Sequence, residues 1–164
     1  MVEEILLHDT GLEFDYAALT PREETDLIVL HHTGCPEDED FGAEDIHAMH
    51  IAQGWCGIGY HFVIRKDGRI EQGRPHWTIG AHAWGENSHS VGIHLSGNLE
   101  LAVPTAAQVE SCAMLIAWLC VLYRIRLDRE HIVGHGELMP TDCPGRYVME
   151  EMGVIVGKAL WYRY

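Results

Sequence analysis

The amino-acid sequence predicts an α/β fold: a single three-layer domain in which a central mixed sheet of about five strands is flanked by helices. Three observations predict it. The runs Asp26–His31 and Ser90–Leu95 are short and largely apolar, as strands buried on both faces are. Between Tyr60 and Gln72, two further strand-like runs meet at Lys66-Asp67-Gly68, with Asp-Gly at the tip of a hairpin. Around them lie segments with apolar residues at helical spacing, and 164 residues suffice for one domain with one substantial core.

The elements follow in order. The first ~25 residues read as an arm broken at Thr20-Pro21. The strand Asp26–His31 then delivers His31, His32 and Thr33 to its C-terminal end, where open α/β sheets place ligand sites. Ala43 to Gln53 reads as a helix closed by Gly54. After the hairpin, Gly73–Asn87 is a long irregular stretch containing Trp77, His82 and Trp84; such loops are costly to order and often functional. Pro104-Thr105 opens a helix, with Thr105 and Gln108 as a capping box. Val109, Cys112, Leu115, Ile116, Leu119 and Tyr123 form its buried stripe. A short strand at Ile132-Val133 ends in Gly134-His135, and a last helix begins after Pro144.

Composition narrows the function. Against 25 acidic residues stand 11 Lys and Arg, a formal charge of −14. That balance argues against binding nucleic acid or anionic membranes, which need a basic face. The N-terminus MVEEILLHDT carries acids where a secretory signal needs basic residues and a long apolar run, so synthesis in the cytoplasm without a signal peptide is expected. Five cysteines without a CxxC pair fit reduced thiols rather than a disulfide framework. Cys143 stands apart, between Asp142 and Pro144 in a segment of turn formers where packing does not explain it.

Three groups are candidate metal ligands: the His31-His32 pair, His135 and Cys143. Alternate side chains of a strand point to opposite faces, so only one of His31 and His32 can turn toward a given ion. His135 and Cys143 are joined by a span containing Gly136, Glu137, Pro140 and Thr141, which can fold back and bring both side chains to one point. With one strand-end histidine they supply two imidazoles and a thiolate. Zinc suits that set, and three protein ligands leave one position for water, as in a catalytic site.

The segments LIVLHHTG, GWCGIGYHFVI, IGAHAWGENSHSVGIHLSGN and VGHGELMPTDCPG, in this order, resemble the type 2 N-acetylmuramoyl-L-alanine amidase family. That family includes amidase-type phage lysozymes and animal peptidoglycan recognition proteins. The resemblance spans 26–146, leaving 1–25 as an N-terminal arm and 147–164 as a C-terminal helix of the same domain. It implies that His31 rather than His32 binds Zn2+ with His135 and Cys143, in a groove at the strand ends. Tyr60 matches the family's catalytic tyrosine. Thr141 stands where some phage enzymes carry lysine and where active animal members carry threonine. Glu137 is expected to support the ligands. His32 and His50 are implied to line the substrate groove, and His82 and Asn87 to line it or pin the long loop. Gly54-Trp55 and Arg74 resemble a set that favours diaminopimelic acid in the stem peptide, where an arginine fork fits a free carboxylate. Trp77 and Trp84 are expected to anchor their loop, with stacking on sugar as the alternative.

The function implied is hydrolysis of the amide between N-acetylmuramic acid and L-alanine, with peptidoglycan or muropeptide as partner and a phage-type lytic role. The alternatives are a non-catalytic recognition module, which commonly replaces the cysteine by serine, and an interbacterial amidase toxin.

Overall fold

The computed structural model describes residues 4–163. Six strands form one sheet: β1 (Leu7–His8), β2 (Leu27–His32), β3 (Phe62–Ile64), β4 (Ile70–Gln72), β5 (Ser90–Leu95) and β6 (Ile132–Gly134). Their order is β1-β4-β3-β5-β2-β6. The β3–β4 hairpin is antiparallel and every other pairing is parallel, so the sheet is mixed. The strand beyond the expected five comes from the N-terminal arm, where Leu7 pairs with Ile70 and His8 with Glu71. A two-residue strand carries no alternation to detect, so only the pairing reveals it.

Three helices cover the sheet: α1 (Ala43–Ala52), α2 (Ala106–Tyr123) and α3 (Arg146–Arg163). Strand alternation decides which residues face which layer. Ile28, Leu30, Phe62, Ile64, Ile93 and Leu95 join one core with Cys112, Leu115, Ile116 and Leu119 of α2 and Met152 and Ile155 of α3. On the other face, Val63 packs with Ala43 and Ile46 of α1, while Leu27, Val29 and Val133 pack against Ala83 of the long loop. β2 and β5 are buried along their whole length because both faces are covered.

The capping box of α2 also ties it to the sheet. Thr105 Oγ1 accepts from Gln108 N and donates to the Lys66 carbonyl, and the Gln108 amide donates to the carbonyls of Ile64 and Ser96. By length and composition, α2 is apolar enough to cross a membrane; its apolarity here serves the core, since half of it is buried inside the domain. All five cysteines are free.

The long loop is ordered by polar cross-links rather than by its tryptophans. Arg22 donates to the carbonyls of His76 and Thr78, and Asn87 Oδ1 accepts from the amides of His82 and Ala83, each at 2.9 Å. Trp77 is 54% exposed and Trp84 is 88% exposed, so the expectation that they anchor the loop does not hold.

At the loop's end, His89 lies between Asp26 and Glu86, which raise its pKa above 6.5 against the opposing effect of burial. A raised pKa means that this pairing stabilises the fold fully below the unfolded value and loses its effect as pH climbs through the folded value. His89→Gln should therefore lower the urea midpoint more at about pH 6 than at about pH 8.5. The gap between variant and unmodified chain is the readout, because buried histidines with depressed pKa values shift the absolute midpoint in the opposite sense.

Candidate functional site

His31 stands at the end of β2 on the face opposite α2 and α3, the same side as Leu27 and Val29, and is 1% exposed. His32, one residue on, is turned to the other face. His135 opens a single 3₁₀ turn, His135–Glu137, directly after β6. Glu137 closes that turn by accepting from Gly134 N at 2.9 Å, and its carboxylate is paired with Arg129 at 2.8 Å. It is thus held as a structural cap of the ligand loop. The amide of Gly136 donates to the carbonyl of Cys143 at 2.7 Å, which folds the span back on itself. As a result, one ligand atom each from His31, His135 and Cys143 lie within 4.8 Å of one another. Nδ1 of His31 is 3.5 Å from Sγ of Cys143, and the backbone amide of His32 donates to the same sulfur at 3.4 Å.

Burial governs the electrostatics. It drives His31 well below the ordinary imidazole value, with the neighbouring His82 and His135 acting in the same direction. It pushes the Cys143 thiol up to about 12, against a smaller opposite effect from the His32 amide. Two unprotonated imidazoles and a buried sulfur form a borderline-soft donor set that fits tetrahedral zinc and leaves room for a fourth ligand. Tyr60 packs beside this trio, its ring centroid 4.9 Å from that of His31. Burial, then the nearby Cys143, raises its pKa, so its hydroxyl remains a hydrogen-bond donor. Thr141 is exposed at the rim, with Oγ1 accepting from Cys143 N at 3.3 Å.

The family model for N-acetylmuramoyl-L-alanine amidase matches residues 21–146. The chain belongs to that family. This amidase chain is 35% identical over 128 residues to the endolysin of Escherichia phage T7, covering 75% of the chain and 82% of the endolysin. Among solved structures, it is similar to the N-acetylmuramoyl-L-alanine amidase LysC from Clostridium intestinale, with a TM-score of 0.82 and 32% identity over 94% of this chain and 99% of that one. A Drosophila PGRP-LB mutant in complex with tracheal cytotoxin aligns with a TM-score of 0.71 and 26% identity, covering 89% of this chain and 93% of that one.

The remaining predicted residues of the amidase site divide into two groups. His50, Gly54 and Trp55 lie together on the Tyr60 side. His50 accepts from Gly59 N at 2.9 Å, its ring is 4.5 Å from Trp55 and 5.7 Å from Tyr60, and burial lowers its pKa to about 4. Trp55 is 41% exposed, and Gly54 takes a φ of 91°, which favours glycine at this helix exit.

The second group faces inward. Arg74 is only 6% exposed, and its guanidinium donates to the carbonyls of Ile58 (2.9 Å), Ile79 (3.1 Å) and Gly57 (3.4 Å). This corrects the expectation of an arginine fork for a stem-peptide carboxylate: the donors are committed to backbone. His82 and Asn87 do not line the groove either. His82 is buried against His31, and Asn87 fixes the loop backbone. The His32 ring is 7% exposed and accepts from Leu99 N at 3.0 Å, which binds it into a neighbouring loop.

His61, Ser90 and His94 were not singled out in the sequence; His61 stands behind His82, with ring centroids 5.6 Å apart. Ser90 and His94 share β5 with Gly92 and face His31, as alternation along SVGIHL could have indicated. The His94 ring is 4.9 Å from Tyr60, and its Nδ1 is the one fully buried side-chain polar atom without a partner among the described residues. The backbone role of Arg74 gives a test. Arg74→Lys should cost about 1–3 kcal/mol in denaturant unfolding, because one ammonium cannot satisfy three diverging carbonyls. A variant with unchanged stability would show that these backbone bonds do not hold the fold.

Proposed function

We propose that this chain is a zinc-dependent N-acetylmuramoyl-L-alanine amidase of the phage lytic type. It would hydrolyse the amide between N-acetylmuramic acid and L-alanine in peptidoglycan, acting on the cell wall after release. The observation that carries the proposal is the convergence of His31, His135 and Cys143 ligand atoms within 4.8 Å, with Tyr60 beside them. Zinc, when bound, supplies a Lewis acid for the scissile carbonyl and lowers the pKa of water toward ~7.

The chain's own residues do the rest. His31, His135 and Cys143 would hold the ion. Tyr60 keeps its proton and donates a hydrogen bond to the oxygen that gains charge as the carbonyl becomes tetrahedral. Thr141, at the rim, orients water or that tetrahedral oxygen. Trp55 and His50 offer an apolar and a polar edge for the muropeptide. Addition of the water oxygen to the carbonyl carbon and cleavage of the C–N bond leave a carboxylate on the muramic acid side, and the two protons of that water end on the released L-alanine amine. The buried Arg74 removes the arginine from the set read as favouring diaminopimelic acid and leaves Gly54 and Trp55 beside Tyr60. The intact Cys143 beside His31 favours hydrolysis over recognition alone.

Purified protein digested with peptidoglycan should yield new L-alanine N-termini, and a chelator should abolish them. Cys143→Ser should lose both zinc and product. Tyr60→Phe should keep zinc and lower kcat by about 10²–10³-fold. Zinc retention without product in the unmodified chain would instead identify a recognition module.

A further inference from the structure

The hydrogen bonds behind His31 have a direction that can be read from their far end. The backbone carbonyl of Glu86 only accepts, so the Ser90 hydroxyl, 2.7 Å away, donates to it. With that proton committed, Ser90 Oγ accepts from Nε2 of His82 at 3.3 Å. His82 is therefore protonated on Nε2, and its Nδ1 carries a lone pair. That lone pair meets Nε2 of His31 at 2.9 Å, so Nε2 of His31 carries a proton. The only lone pair left on His31 is at Nδ1, the atom 3.5 Å from the Cys143 sulfur.

The place of His82 is built as well as bonded. Gly80 and Gly92 both border its ring: a Cβ on Gly80 would come within 2.7 Å of its Cδ2, and one on Gly92 within 2.6 Å of its Cγ. Neither glycine has a positive φ, so crowding rather than an unusual backbone calls for glycine; at Gly92 the crowding atoms are those of the His82 ring, and at Gly80 they also include His61 and the Gly59 carbonyl. Asn87 fixes the backbone of His82 itself.

We propose that His82, seated by Ser90 and the Glu86 carbonyl, is a positioning residue that fixes the tautomer and ring plane of His31 so that Nδ1 is presented to the metal. This inference rests on the metal reading above. Outer partners of this kind commonly carry a carboxylate or carbonyl. Here a neutral imidazole relays a carbonyl through a hydroxyl, so orientation is set without adding negative charge to the site.

Two measurements test it. Long-range ¹H–¹⁵N spectra of the metal-free, unmodified chain should show both His31 and His82 protonated on Nε2. Zinc affinity, measured by competition with a chromophoric chelator in the absence of peptidoglycan, should fall about 10–100-fold in His82→Ala. His82→Asn, whose Oδ1 can stand in for Nδ1 as an acceptor, should recover most of that loss, which a mere packing role would not produce. A proton on Nδ1 of His31, or an affinity for His82→Ala within about twofold of the unmodified chain, would overturn the proposal. The spectra decide the matter even if the alanine variant fails to fold. Failure of the unmodified chain to bind zinc would count against the proposed function instead, and would leave the tautomer reading to the spectra.

Discussion

The site depends on the register of β2. This strand is paired on both sides, with β5 (His31 beside His94) and with β6 (Leu30 beside Gly134). The second pairing places His135 immediately beyond the end of β6, next to His31. A slip of one residue would turn His31 into the helix-covered core and bring His32 to the other face. Ile28 and Leu30, fully buried against α2 and α3, make such a slip costly. The same packing that stabilises the domain thus selects which of two adjacent histidines can meet Cys143.

The distribution of charge follows from the same arrangement. The excess of acidic residues lies outside the site, and the interior of the site holds His31, His61, His82 and His94, all buried. Burial holds His82 and His94 each near about 3, so these imidazoles are neutral and serve as lone-pair donors and N–H donors rather than as cations. Acidification must force protons onto them, which ties the integrity of the site to the stability of the fold as pH falls through the ordinary histidine value.

Much of this was legible in the sequence, for identifiable reasons. LIVLHH reads as a buried strand because it has no polar alternation, and the α2 cap reads from Thr105 and Gln108 because the capping box is a local interaction. What was hidden depends on partners distant in sequence. The strand Leu7–His8 exists only through its pairing with β4. Arg74 could not be told from a substrate-binding arginine, since its acceptors are backbone carbonyls, which any residue supplies. His82 belongs behind His31 because Gly80 and Gly92 make room for it, and that room appears only when β5 and the long loop are brought together.

The proposed centre brings one sulfur and two imidazole nitrogens to a single ion. X-ray absorption at the zinc edge on the zinc-loaded chain tests it most directly. One sulfur at about 2.3 Å and nitrogen or oxygen neighbours at about 2.0–2.1 Å are expected, with the sulfur shell gone in Cys143→Ser. A first shell of nitrogen and oxygen alone in the unmodified chain, or a sulfur shell that survives the substitution, would contradict it.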